Sequence, residues 1–150
     1  MSEKKNIHKY FPQPIFHYQI ENYKKHNEDL RSYIYNLYNE DPKGLERSNH
    51  GGWHSKPFNL KDQNAAPFRF FQAIQKYVAD TFKEYGWRYE PGKVNLTEMW
   101  AIINKKNNFN IEHTHPNNYL SAAYYVKAPE NCGSFKATNP NSVARERITA

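Results

Sequence analysis

Apolar residues recur at helical spacing in the first half of the chain and at alternate positions in the second. Leu30, Ile34, Leu37 and Tyr38 share one helical face. Asn27 is placed to cap that helix, and Asp41-Pro42-Lys43-Gly44 to end it. A second helix is expected over 64–85, where Phe68, Phe71, Ile74 (or Gln75), Val78, Phe82 and Tyr85 form a stripe. Pro67 falls in its first turn and Gly86 just past its end. Such a stripe reads as core packed on a sheet. Between the helices, Ser48-Asn49-His50-Gly51-Gly52-Trp53-His54-Ser55 reads as a loop rich in turn formers. From Val94 the period falls to two, predicting strands over 94–104, 109–115 and 119–127, with a fourth beginning at 133–136. Residues 1–9 are polar and expected to fray, and Pro12 and Pro14 favour an extended edge segment over a helix. Helices followed by consecutive strands predict an α+β fold, with the helices covering an antiparallel sheet. That sheet would stop with an open edge, which favours pairing with a second copy as a homodimer.

Composition refines this outline. A length of 150 residues predicts a single domain, 1–150. Leu, Ile, Val and Phe together make up just under a fifth of the chain, near the range typical of disorder. The 12 Tyr and 3 Trp point instead to a folded globule, because each ring buries a large area while its polar tip stays wet. The formal charge of +6 attracts anions, but no run holds more than two basic residues. Solvated lysines explain the charge better than a nucleic-acid surface. With one cysteine, Cys132, no internal disulfide can form, which predicts a reducing, cytoplasmic setting. No signal-type apolar segment or membrane-length apolar run is present.

The chemistry concentrates at His113-Thr114-His115. Alternate residues of a strand point to one face, so the two imidazoles project together and suit a transition metal. Pro116 ends the strand at once, placing the pair at the mouth of a barrel rather than in its wall. Two ordinary surface or hydrogen-bonded histidines are the competing reading. Asn104 and Asn110 lie beside the pair, and Ser121 and Tyr125 share a face of the next expected strand around Ala123. This polar set suits a small ligand with carboxylates. His50, Trp53, His54 and Trp100 are expected to shape a substrate entrance, with Trp53 packed beneath the loop.

Three strings carry a resemblance: 98–104 (EMWAIIN), 110–116 (NIEHTHP) and 120–126 (LSAAYYV). Together with the 11–15 and 48–55 segments, and with Gly133, Phe135 and Asn139-Pro140, they resemble the 2-oxoglutarate-Fe(II) oxygenase family of marine bacteria and their phages. The resemblance implies a double-stranded β-helix, or jelly roll, related to prolyl 4-hydroxylases. It further implies Fe(II) and 2-oxoglutarate as cofactors, dioxygen as cosubstrate, and hydroxylation of a C–H bond in a primary substrate the sequence does not identify. Carried onto this chain, His113 matches a metal histidine, and Asn104, Asn110, Ser121 and Tyr125 match positions lining the cofactor pocket. His115 stands where the wider superfamily usually has a carboxylate, so either the iron is held by a histidine-rich set or this position does not ligate. The family pattern continues into strands with a distal His and an Arg. No histidine follows His115, and Arg145 and Arg147 come too early for that Arg. The resemblance therefore implies an incomplete jelly roll, the first two-thirds of such an enzyme, active or not.

Two other classes compete. A cupin-like metal-binding protein also uses two histidines on a jelly roll, but the Glu expected after its second His is replaced here by Asn118 or Tyr119. A non-catalytic module binding single-stranded nucleic acid by ring stacking would show affinity that falls steeply with salt.

Overall fold

The computed structural model describes residues 13–140. The expectations for 1–9, for Phe11 and Pro12, and for Arg145 and Arg147 lie outside the described residues. The chain divides into two units, Tyr18–Cys132 and Met1–His17 with Gly133–Ala150. The first of these holds every element of regular structure described below.

Helix α1 spans Tyr23–Glu40, five residues earlier at its start than a cap at Asn27 predicts. Asn22, in the left-handed region at φ 53, turns the chain into it, and its carbonyl accepts from the Lys25 and His26 amides. Asn27 is thus inside the helix. Its side chain accepts a 2.6 Å bond from the Tyr124 hydroxyl instead of capping. The early turn gives no apolar signal because its residues are polar, yet the His26 ring meets Phe70 edge-on at 5.9 Å. At the other end the Asp41 amide bonds to the Leu37 carbonyl, closing the helix where the sequence predicts.

Helix α2 spans Ala66–Glu84, with Pro67 in its first turn, where the missing N–H costs no helical bond. Its end is a Schellman-type closure. Gly86, at φ 70, donates to the Lys83 carbonyl, and Trp87 donates to the Phe82 carbonyl. The buried face is rotated from the expected stripe. Pro67, Phe70, Thr81 and Phe82 are buried, whereas Phe68, Phe71 and Val78 are only partly so. A count of apolar residues overlooks Tyr77 and Thr81. Both are tolerated on the packed face because their hydroxyls have partners: the Tyr77 hydroxyl receives the Glu21 amide, and the Thr81 hydroxyl lies 3.1 Å from that of Tyr18.

The core between the helices centres on Ile20, Leu30 and Phe70. Ile34, Ile74, Tyr77, Met99, Tyr124 and Val126 pack around it. The Phe70 and Tyr124 rings are 4.4 Å apart, and Arg69 pairs with Asp29 at 3.0 Å across the two helices.

The strands are shorter than predicted, and half of them lie where a loop is expected. Asn49–His50 (β1) pairs antiparallel with Phe109–Asn110 (β4), and Trp53–His54 (β2) with Ile102–Ile103 (β3). Further backbone bonds extend the same pairing: Ile111 to Ser48, Ser55 to Ala101, and Phe58 to Met99. The 48–55 segment is therefore the partner of the 99–111 segment. Its turn formers serve a different purpose. A Cβ on Gly52 would sit 2.0 Å from the Asn104 side-chain oxygen, and one on Gly51 2.5 Å from the Asn108 amide nitrogen. The glycine pair makes room for the chain to leave the ladder over 104–108 and return.

The expected strands over 94–104 and 109–115 are thus reduced to β3 and β4, and none forms over 119–127 or 133–136 among the described residues. Around 124 the predicted alternation survives without a ladder: Tyr124 and Val126 meet the core, while Ala123, Tyr125 and Lys127 are exposed. The result is two helices with small antiparallel pairings, a partial α+β arrangement. No helix among the described residues is long and apolar enough to cross a membrane.

Candidate metal site

Three residues beyond the end of β4 the chain reaches His113, then His115. Neither lies in a strand. His113 is exposed and His115 half-buried, so the pair lies at the surface rather than inside a sheet. Their rings nevertheless converge, with centroids 4.8 Å apart at an interplanar angle of 66°.

The His113 Nδ1 is 2.7 Å from the Ile111 carbonyl oxygen. A carbonyl can only accept, so Nδ1 carries the proton and donates, leaving the Nε2 lone pair to bind a cation. Metal-binding histidines are commonly fixed in this way by a backbone carbonyl. Behind the pair stands Trp100, stacked on His115 with centroids 5.7 Å apart and planes 29° apart. Trp100 also stacks on His54, at 5.7 Å and 14°.

His54 is buried, and its own Nδ1 is 2.7 Å from the Ser55 carbonyl. Ser55 is 1% exposed and makes two bonds to the neighbouring strand. Its amide donates to the Ala101 carbonyl, and its hydroxyl oxygen accepts from the Ala101 amide. That hydroxyl in turn donates to the Lys56 carbonyl. Nothing in the sequence singles out Ser55, because its contribution depends on a partner 46 residues away.

Adjacent strand residues point to opposite faces, and β2 shows this. Where His54 meets Trp100, Trp53 meets Tyr38 edge-on at 5.5 Å and donates its indole N–H to the Asp41 carbonyl at 2.8 Å. Gly44, at φ 60, lies against it, and a Cβ there would sit 2.6 Å from the Trp53 ring. The Asp41 carboxylate is held below the usual carboxylate range by its hydrogen bond to Lys56, and also by the Gly44 amide. Of the four expected entrance residues, Trp100 adjoins the histidine pair through His115, and His54 lies behind Trp100. Trp53 is buried towards α1, and His50 lies against Phe109 at 4.7 Å on the β1–β4 pairing.

The polar residues expected around a cofactor separate into two groups. Asn104 donates to Asn110, and Asn110 is 3.4 Å from the Ser48 hydroxyl, forming a short amide chain that spans the β1–β4 pairing. Ser121 and Tyr125 are both exposed and lie outside any strand.

Two converging imidazoles, one with its Nδ1 engaged by a carbonyl so that Nε2 is the nitrogen left for a cation, fit the histidine part of a two-histidine, one-carboxylate iron centre. Among the described residues no set of three His, Cys, Asp or Glu side chains is placed to hold a metal ion. The pair therefore supplies two ligands, and the third position is not filled by a described residue. Residues 98–149, which include Trp100, both histidines, Ser121 and Tyr125, match the family model described as "Putative 2OG-Fe(II) oxygenase". No curated protein and no solved structure matches the chain.

Proposed function

We propose that this chain, whose residues 98–149 match the 2OG-Fe(II) oxygenase family model, is a dioxygenase of the hydroxylase type. The family's cofactors are Fe(II) and 2-oxoglutarate, and its cosubstrate is dioxygen. Bound together they supply hydroxylation of a C–H bond: one oxygen atom enters the product, and the other enters the succinate left when 2-oxoglutarate loses CO₂.

One observation carries the reading. Inside the matched segment, two imidazoles converge at 4.8 Å, and one has its Nδ1 engaged by a backbone carbonyl, which leaves Nε2 for a metal. In this reading His113 and His115 are both ligands, and His115 takes a place more often held by a carboxylate. Ser121 and Tyr125 offer exposed hydroxyls to the 2-oxoglutarate carboxylates. Asn104 and Asn110 are already bonded to each other, so they hold the strip in shape beside the cofactor. His54 and Trp100 back the site, and His50 borders the approach of the substrate. In this reading the surrounding framework is an incomplete jelly roll within a single domain.

Anaerobic titration with Fe(II) and 2-oxoglutarate tests this. The expected result is the weak visible charge-transfer band of the ternary complex, abolished by His113→Ala and by His115→Ala. Absence of the band in the unaltered chain, together with no 2-oxoglutarate consumption in air, overturns the reading.

A further inference from the structure

We propose that Trp100, itself backed by His54, is the positioning residue that sets the His115 imidazole for metal binding. The proposal rests on the metal reading above and adds the group that orders one of its ligands. Four rings follow one another from the interior outward: His54, Trp100, His115, His113. The inner end is fixed. His54 is 7% exposed with Nδ1 bonded to the Ser55 carbonyl, and Ala101, next to Trp100, is held by Ser55 through both its amide and its carbonyl.

The outer end has no such frame. His113 and His115 lie beyond β4, outside any strand, and unrestrained imidazoles there would each lose rotamer freedom on gripping an ion. His113 is restrained by its carbonyl bond. For His115 the restraint is the face of Trp100, 5.7 Å away. The indole restricts the ring to planes near its own and keeps water from that side of the ligand. Outer groups of this kind commonly govern metal affinity even though they never touch the ion.

Co(II) alone is the probe, read by its visible d–d absorption during titration of the full chain. The unaltered protein binds, and Trp100→Leu lowers the affinity about tenfold, the lower end of the range for outer-shell partners. Trp100→Phe, which restores a flat face, recovers most of that loss. Trp53→Phe is the control: it alters a buried ring on the opposite face of β2, so it lowers the melting temperature and leaves Co(II) affinity unchanged.

If Trp100→Leu does not fold, His54→Leu leaves the indole in place and still weakens Co(II) binding. In a Trp53→Phe/Trp87→Phe variant, where Trp100 is the sole indole, bound Co(II) quenches the emission, and His115→Ala removes that quenching. Folded Trp100→Leu binding Co(II) like the unaltered chain overturns this proposal alone. No Co(II) binding by the unaltered chain overturns the metal reading and this proposal with it.

Discussion

Between α1 and α2, Ile20, Leu30 and Phe70 are almost wholly removed from solvent, and aromatic hydroxyls fill the margins with internal bonds. Along 99–115, by contrast, only Ala101 is buried. That strip is held by backbone bonds to 48–58, by side-chain amides bonded to one another, and by stacked rings. The first region draws its stability from burial, which scales with area and tolerates modest changes of shape. The second depends on register and close approach, where a single atom in the wrong place is felt. Stability and metal affinity should accordingly be separable by mutation, and three substitutions set out that separation.

The largest effect is expected from Phe70→Ala. Its ring meets His26 and Tyr124 and fills the centre of the helix pair, so truncation removes buried area and leaves a cavity. The expected loss is about 3–5 kcal/mol. In a chain of this size that lowers the melting temperature by roughly 10 °C, measurable by circular dichroism. Co(II) affinity of the protein that remains folded should be unchanged. An equal loss of affinity would show that the two regions are a single unit.

Gly52→Ala attacks the other region. The added Cβ would meet the Asn104 side-chain oxygen at 2.0 Å, so that side chain must swing away and give up its bond to Asn110. Overpacking of this kind costs about 1–3 kcal/mol. Asn104→Ala in the same chain removes the opposing atom and should restore much of the stability, despite the lost bond to Asn110. A double variant no more stable than Gly52→Ala alone would show that the glycine serves the backbone and not the clearance.

This contrast also explains what the sequence can and cannot reveal. Helical periodicity is local, so both helices and their ends at Asp41 and Gly86 are legible. Their faces are less so, because polar-tipped Tyr77 and Thr81 pack where an apolar count assigns solvent. In the strip the reverse holds. Gly51 and Gly52 signal an unusual backbone, yet nothing in their neighbourhood says that 48–55 finds its partner at 101–111. Long-range pairing is a choice of register and leaves little trace in either partner alone. The two histidines are legible as a pair because their spacing is short. The indole that backs them is visible only as a nearby aromatic residue, since stacking is set by the fold.

The smallest expected effect lies at Asp41, where the two regions join: its backbone carbonyl holds the Trp53 indole, and its carboxylate meets Lys56 at 3.1 Å. Asp41→Asn keeps the carbonyl bond and an acceptor for the Gly44 amide, and so removes chiefly the charge. The folded state holds this carboxyl below its ordinary value of 3.8, through the Lys56 hydrogen bond first and the Gly44 amide second. A group whose folded pKa is lowered adds stability above its unfolded pKa and loses it as pH falls through the folded value. The difference in melting temperature between the unaltered chain and Asp41→Asn should therefore be constant near neutral pH and shrink from about pH 4 downward. It should stay small throughout and shrink further in high salt, because the pair is exposed. A difference that persists unchanged in acid would assign the role of Asp41 to geometry, and would place the junction with the strip's close contacts rather than with its surface charges.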